Sequence, residues 1–105
     1  MKSLDHVAIN VLEIDTSLNW YVENANAHVE YSDETWALLT VGDSKLALTV
    51  ASEHPPHVAI SIETPDEFPR GSEINIHRDG SWYYYDRDPS GNIIEWIYYP
   101  PEDNI

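Results

Sequence analysis

The tetrapeptide His6-Val7-Ala8-Ile9 recurs unchanged as His57-Val58-Ala59-Ile60, fifty-one positions further along the chain. The likeness continues in kind, with Asn10-Val11 after the first copy and Ser61-Ile62 after the second. Both copies alternate with period two. Val7, Ile9 and Val11 oppose His6, Ala8 and Asn10; Val58, Ile60 and Ile62 oppose His57, Ala59 and Ser61. That is the pattern of a strand with one face on a core and the other on a more polar surface. Identity in the same strand phase marks a duplicated module, and a duplication decides the architecture.

Working outward, the first strand leads into a helix. Ile14, Leu18, Tyr21, Val22 and Ala25 fall on one helical stripe, Asp15 is the expected N-cap, and Asn24 or Asn26 can take the left-handed C-terminal position. Strands are expected at 27–31, 34–41 and 44–50, the last two joined by a Gly42-Asp43 turn. The second copy is trimmed. Pro65 and Pro69 limit its helix to one turn around Asp66-Glu67-Phe68. Strands are then expected at 73–77, 81–86 and 93–99, separated by Asp79-Gly80 and Asp88-Pro89-Ser90-Gly91. Each half therefore reads β-α-β-β-β, with 52–56 as the joint.

The chain has 105 residues, which is one domain's worth. Hydrophobic residues make up 42%, enough for a core without staples. Nineteen acidic against five basic residues give a net charge of −14. A field of that sign repels phosphate backbones and anionic lipid, so neither nucleic acid nor a membrane surface is an expected partner. The absence of cysteine removes disulfides, thiolate zinc sites and cysteine nucleophiles. The start lacks an apolar signal core and no window reaches a membrane span, so a soluble cytoplasmic protein is expected.

Three residues could hold a metal. His6 and His57 occupy equivalent strand positions, and a pseudo-twofold relation between the modules would bring them together. Glu95 lies in Ile93-Ile94-Glu95-Trp96-Ile97, an apolar strand where a lone carboxylate needs a partner. Two imidazoles and one carboxylate form a facial triad that suits Fe(II) or Mn(II), and Zn(II) or Ni(II) can also use it. His28 and His54 fall near predicted loops and read as solvated.

Asp5-His6-Val7-Ala8-Ile9-Asn10-Val11, followed by Ser17-Leu18-Asn19-Trp20-Tyr21, resembles the opening of the vicinal oxygen chelate superfamily. That superfamily holds glyoxalase I, fosfomycin-resistance and bleomycin-resistance proteins and extradiol dioxygenases. The stretch Tyr83-Tyr84-Tyr85-Asp86-Arg87-Asp88-Pro89-Ser90-Gly91-Asn92-Ile93-Ile94-Glu95 is similar to its aromatic-x-x-Asp-Pro-x-Gly-Asn-x-x-Glu ending. The resemblance implies an α+β fold in which two βαβββ modules form an incomplete barrel around a divalent metal, here with a shortened second helix. It implies one such domain over 1–105, with modules at 1–51 and 55–100, and metal ligands His6, His57 and Glu95. The superfamily's fourth ligand position, when used, corresponds to Ala47, which argues against the glyoxalase I reaction. Few cations argue against an anionic phosphonate substrate.

Asn75-Ile76-His77, Tyr84-Tyr85, Asp88-Pro89-Ser90-Gly91 and Glu95 also resemble the extradiol dioxygenase signature. That resemblance implies His77 as acid/base and Tyr85 as hydrogen-bond donor to a substrate oxygen. Trp36, Leu38, Trp82 and Tyr84 are candidate pocket walls, although a one-residue change of strand phase would exchange the facing set. The expected function is a divalent-metal-dependent enzyme acting on a small substrate with vicinal oxygens, with dioxygenase-like chemistry ahead of isomerase or lyase chemistry. The alternative is a metal-free small-molecule binding or drug-sequestering protein on the same fold. A homodimer is expected, because superfamily members commonly dimerise and the short second helix leaves part of a sheet less covered.

Overall fold

The structure, a computed structural model, describes residues 2–101. Met1 and residues 102–105, the ends of the expected domain, lie outside that range. Eight strands and one α-helix follow the order β1 (Ser3–Asn10), α1 (Ile14–Ala25), β2 (His28–Ser32), β3 (Trp36–Val41), β4 (Ser44–Thr49), β5 (His57–Ile62), a 3-10 turn (Pro65–Glu67), β6 (Asn75–Ile76), β7 (Trp82–Arg87) and β8 (Ile93–Tyr98). The class is α+β, as the sequence implies.

The strands form one mixed sheet in the order β2-β3-β4-β1-β5-β8-β7-β6. The two halves repeat the same pairing logic. In the first, β1 runs parallel to β4 and β3 antiparallel to it; in the second, β5 runs parallel to β8 and β7 antiparallel to it. The halves join within the chain through an antiparallel β1–β5 ladder, with His6 opposite Ala59 and Ala8 opposite His57. Among the described residues β2 and β6 are the two edges, and the sheet is open.

Helix α1 covers one face of the first half. Ile14, Ala27, Ala37, Leu39 and Leu48 are buried together, with Ile9, Val11, Leu18, Tyr21 and Leu46 packed around them. The alternation read from the sequence is thus obeyed, since Ile9 and Val11 turn toward the helix. The N-cap falls two residues earlier than expected. Glu13, extended, is the N-cap, and Asp15 lies in the first turn, where its charge complements the helix dipole. The cause is Ile14, only 2% exposed, whose burial draws it into the helix. Asn26 ends the helix in the left-handed conformation, with φ 53°.

The equivalent connection in the second half is the Pro65–Glu67 turn. Its Glu67 carboxylate accepts the backbone N–H groups of Glu63 and Thr64, a capping box that closes the turn at once. The expected strand over 73–77 shrinks to Asn75 and Ile76, which pair with Tyr83 and Trp82. It is an edge strand with Ile76 exposed beside an exposed Ile74, and among the described residues no second neighbour extends its ladder.

Candidate metal centre

The β1–β5 ladder sets His6 and His57 diagonally, each opposite an alanine. Small neighbours leave the two imidazoles room to face one another, with ring centroids 5.6 Å apart. Glu95 pairs with Ala59 across the parallel β5–β8 ladder and joins them on the same face. One ligand atom from each of His6, His57 and Glu95 lies within 4.8 Å of the others. Glu95 Oε1 stands 3.5 Å from His6 Nε2 and 3.4 Å from His57 Nε2. The Glu95 side chain is 3% exposed.

The tautomers follow from the partners on the far side of each ring. His6 Nδ1 lies 2.7 Å from Asp5 Oδ2, and His57 Nδ1 lies 2.8 Å from the Pro55 carbonyl. An ionised carboxylate and a carbonyl only accept, so both Nδ1 atoms must carry the proton. In the neutral rings both Nε2 lone pairs then face a carboxylate oxygen. Acceptors facing one another in a buried space call for a cation between them, and this donor set fits a divalent metal. Tyr99 donates its hydroxyl to the same Asp5 oxygen at 2.9 Å. Burial raises the Asp5 pKa, but the hydrogen bonds from His6 and Tyr99 outweigh it and hold the carboxylate below its ordinary range.

His57 and Glu95 favour each other's charged forms. Burial disfavours charge on His57, yet Glu95 and the Pro55 carbonyl outweigh it and raise its pKa. Burial likewise opposes the Glu95 anion, but hydrogen bonds from His57 and His77 bring its pKa down to about 2.

Two further groups stand beside the cluster. His77 Nε2 lies 2.7 Å from Glu95 Oε2, and its ring stacks on Tyr83 at 3.7 Å between centroids. Tyr85 pairs with Glu95 across β7–β8 and sets its ring edge-to-face with His57 at 5.4 Å. Burial, then the charge of Glu95, keep the Tyr85 phenol protonated. The Tyr85 hydroxyl lies 3.3 Å from His54 Nδ1. Sequence reasoning missed His54. Its signal is the run His54-Pro55-Pro56-His57, in which two prolines hold both histidines in one rigid segment.

Strand phase divides the expected pocket residues between the two faces of the sheet. Tyr83 and Tyr85 share the face of Glu95, whereas Trp82 and Tyr84 lie on the opposite face with Tyr98 and Trp96. Trp82 packs against Tyr98 there, at 5.3 Å. A run of four aromatics, 82–85, carries no polar residue to reveal which alternate pair faces inward. Trp36 and Leu38 do lie on the Glu95 face, where Leu38 pairs with Ala47 and Ala47 with Ala8. Ala47 is thus the positional counterpart of Glu95, which pairs with Ala59 in the other half.

No family model matches the chain. Metallothiol transferase FosB of Staphylococcus epidermidis is 25% identical over 115 residues, spanning 90% of this chain and 80% of that protein. Among solved structures, methylmalonyl-CoA epimerase of Mycobacterium tuberculosis superposes with TM-score 0.71 at 21% identity, over 93% of this chain and 88% of that one. A glyoxalase/bleomycin resistance protein/dioxygenase superfamily member from Vibrio splendidus 12B01 gives 0.68 at 13%, covering 93% and 98% of the two chains. A 2,2',3-trihydroxybiphenyl 1,2-dioxygenase from Sphingomonas wittichii strain RW1 gives 0.63 at 13%, over 92% of this chain and 42% of that longer one. The chain has the fold of this vicinal oxygen chelate superfamily. Its neighbours in that fold span epimerase and dioxygenase chemistry, and no helix among its described residues is long and apolar enough to cross a membrane.

Proposed function

We propose that the chain is a divalent-metal-dependent enzyme acting on a small substrate with two adjacent oxygens. One observation supports this above all others: two imidazoles with their Nδ1 protons held outward direct their Nε2 lone pairs at one buried carboxylate oxygen. Three protein ligands leave further coordination positions for a chelating substrate. A bound divalent metal would supply Lewis acidity, and as Fe(II) also oxygen activation. His6, His57 and Glu95 would hold it, and Asp5 and the Pro55 carbonyl would fix the ring orientations.

Dioxygenase-like chemistry is the favoured form, ahead of isomerase or lyase chemistry. Tyr85 supports it: a protonated phenol beside His57 can donate a hydrogen bond to a substrate oxygen, and His54 behind it can receive or return a proton. His77 has its Nε2 engaged by Glu95. Trp36 and Leu38 on the same face suit a flat or apolar substrate. We place the protein in the cytoplasm as a homodimer, since the second half's outer face bears only a short turn in place of a helix.

The test is metal content after purification without a histidine tag, followed by reconstitution. About one equivalent of Fe(II), Mn(II), Zn(II) or Ni(II) supports the reading. Less than ~0.2 equivalents, unchanged on reconstitution, overturns it in favour of metal-free small-molecule binding. Oxygen uptake with catechols in the presence of Fe(II) then separates dioxygenase from isomerase or lyase chemistry.

A further inference from the structure

Three histidines surround one carboxylate, and they do so in two different ways. As neutral rings, His6 and His57 present unprotonated Nε2 atoms to Glu95 Oε1, because their Nδ1 protons are given to Asp5 and Pro55. His77 presents Nε2 to the other oxygen, Oε2, at the 2.7 Å of a charge-assisted hydrogen bond. An ionised carboxylate has no proton to offer, so Nε2 of His77 is the donor. His77 also stands outside the three-residue cluster whose ligand atoms converge.

We propose that His77 is a positioning residue that occupies Glu95 Oε2 and so restricts Glu95 to one-oxygen ligation of the metal. This rests on the metal-site reading given above. It departs from the acid/base role that the dioxygenase resemblance implies for His77.

The local structure is built for such a clamp. The Asp79-Gly80 turn brings the chain back on itself, with the Gly80 N–H donating to the His77 carbonyl at 2.9 Å and the His77 N–H donating to the Ser81 carbonyl at 2.8 Å. Gly80 takes φ 90°, which a side chain would strain. Asp79 Oδ1 accepts both the N–H and the hydroxyl of Ser81, a residue 2% exposed. The backbone of His77 is therefore fixed at both ends of the turn. Its ring lies nearly parallel to that of Tyr83, at 12°, which fixes the side chain as well.

The consequence concerns denticity. A buried carboxylate with a free second oxygen can turn that oxygen to the metal and close a coordination position. With Oε2 bonded to a stacked, immobilised imidazole, only Oε1 faces the two histidines, and the position stays open for a chelating ligand. Partners of this kind commonly change metal affinity 10–100-fold when removed.

The test is titration of metal-stripped protein with Mn(II) or Zn(II), read by calorimetry, with no catalytic assay. His77→Ala should weaken binding about 10–100-fold while saturating at the wild-type stoichiometry. His77→Phe keeps a ring on Tyr83 and removes only the donor, so it should bind as weakly as His77→Ala and serves if the alanine variant does not fold. His77→Gln restores an N–H donor and should recover most of the affinity. Wild-type affinity in both His77→Ala and His77→Phe overturns the clamp while leaving the metal site intact. Failure of His77→Gln to recover affinity also overturns it, in favour of a coordinating imidazole. A wild-type chain that binds no metal overturns both this inference and the metal-site reading.

Discussion

The side-chain amide of Asn10, on β1, donates to the backbone carbonyl of His54 at 2.8 Å, across the boundary between the two halves of the sheet. The same amide reaches Thr49 Oγ1 at 2.9 Å, and Thr49 is 4% exposed. One side chain of the first half thereby pins the segment that carries His54, Pro55 and His57. Replacing Asn10 with Ala leaves the His54 carbonyl short of its main donor. We expect a stability loss of about 1–3 kcal/mol by chemical denaturation. A loss below the error of that measurement would mean the joint is held by other contacts.

The triad itself is tested most directly at His57. It is 8% exposed and its Nε2 faces Glu95. His57→Ala should abolish stoichiometric divalent metal binding. Metal retained at one equivalent in that variant would place the centre elsewhere.

The same contact predicts a pH dependence. Glu95 and Pro55 raise the His57 pKa above its ordinary 6.5 in the metal-free protein. The stabilising His57–Glu95 contact is therefore fully present below 6.5 and lost as pH rises through the raised value. Metal must displace that proton, so apparent Zn(II) or Mn(II) affinity should rise with pH across this range and then level off. Affinity that stays flat between pH 6 and 8 would contradict a shared proton and metal position. At the acid end the sign reverses. Glu95, depressed to about 2, stabilises the fold above its ordinary 4.5 and loses that contribution as pH falls toward 2.

Ala47 offers a gain-of-ligand experiment. It pairs with Ala8 as Glu95 pairs with Ala59. Ala47→Glu should lower the melting temperature of the metal-free protein, since it buries a carboxylate at a site 4% exposed. Divalent metal should restore more stability to this variant than to wild type. Equal metal-induced shifts in the two proteins would show that position 47 does not face the centre.

A packing control belongs beside these. Leu39 and Leu48 are fully buried under α1, away from the Glu95 face. Leu39→Ala should cost about 2–5 kcal/mol. Metal stoichiometry should be unchanged in whatever fraction remains folded, because the site and the helix lie on opposite faces of the sheet.

Much of the architecture was legible because the duplicated His-Val-Ala-Ile repeats a side-chain phase as well as a composition. Period-two alternation is local, so Val7, Ile9 and Val11 could be set against His6, Ala8 and Asn10 without any knowledge of what covers each face. The phase failed at Trp82, Tyr83, Tyr84 and Tyr85, where four aromatics in succession satisfy either register. It recovers only from the ladder to β8, which sets Tyr85 opposite Glu95. His54 read as a solvated loop residue, since nothing local ties a joint to a strand in the other half.

By itself, then, the sequence determined the two-part strand order, the helix on the first half and the identity of the three side chains that converge, His6, His57 and Glu95. These depend on spacing along the chain, which periodicity and turn chemistry express directly. Only the tertiary structure decided which atoms face which. That His6 and His57 turn Nε2 inward, that Glu95 gives one oxygen to them and the other to His77, and that Asn10 holds His54 beside Tyr85 all depend on ladders between strands far apart in sequence. The register of those ladders is set by burial on both faces of the sheet, and burial is a property of the assembled fold.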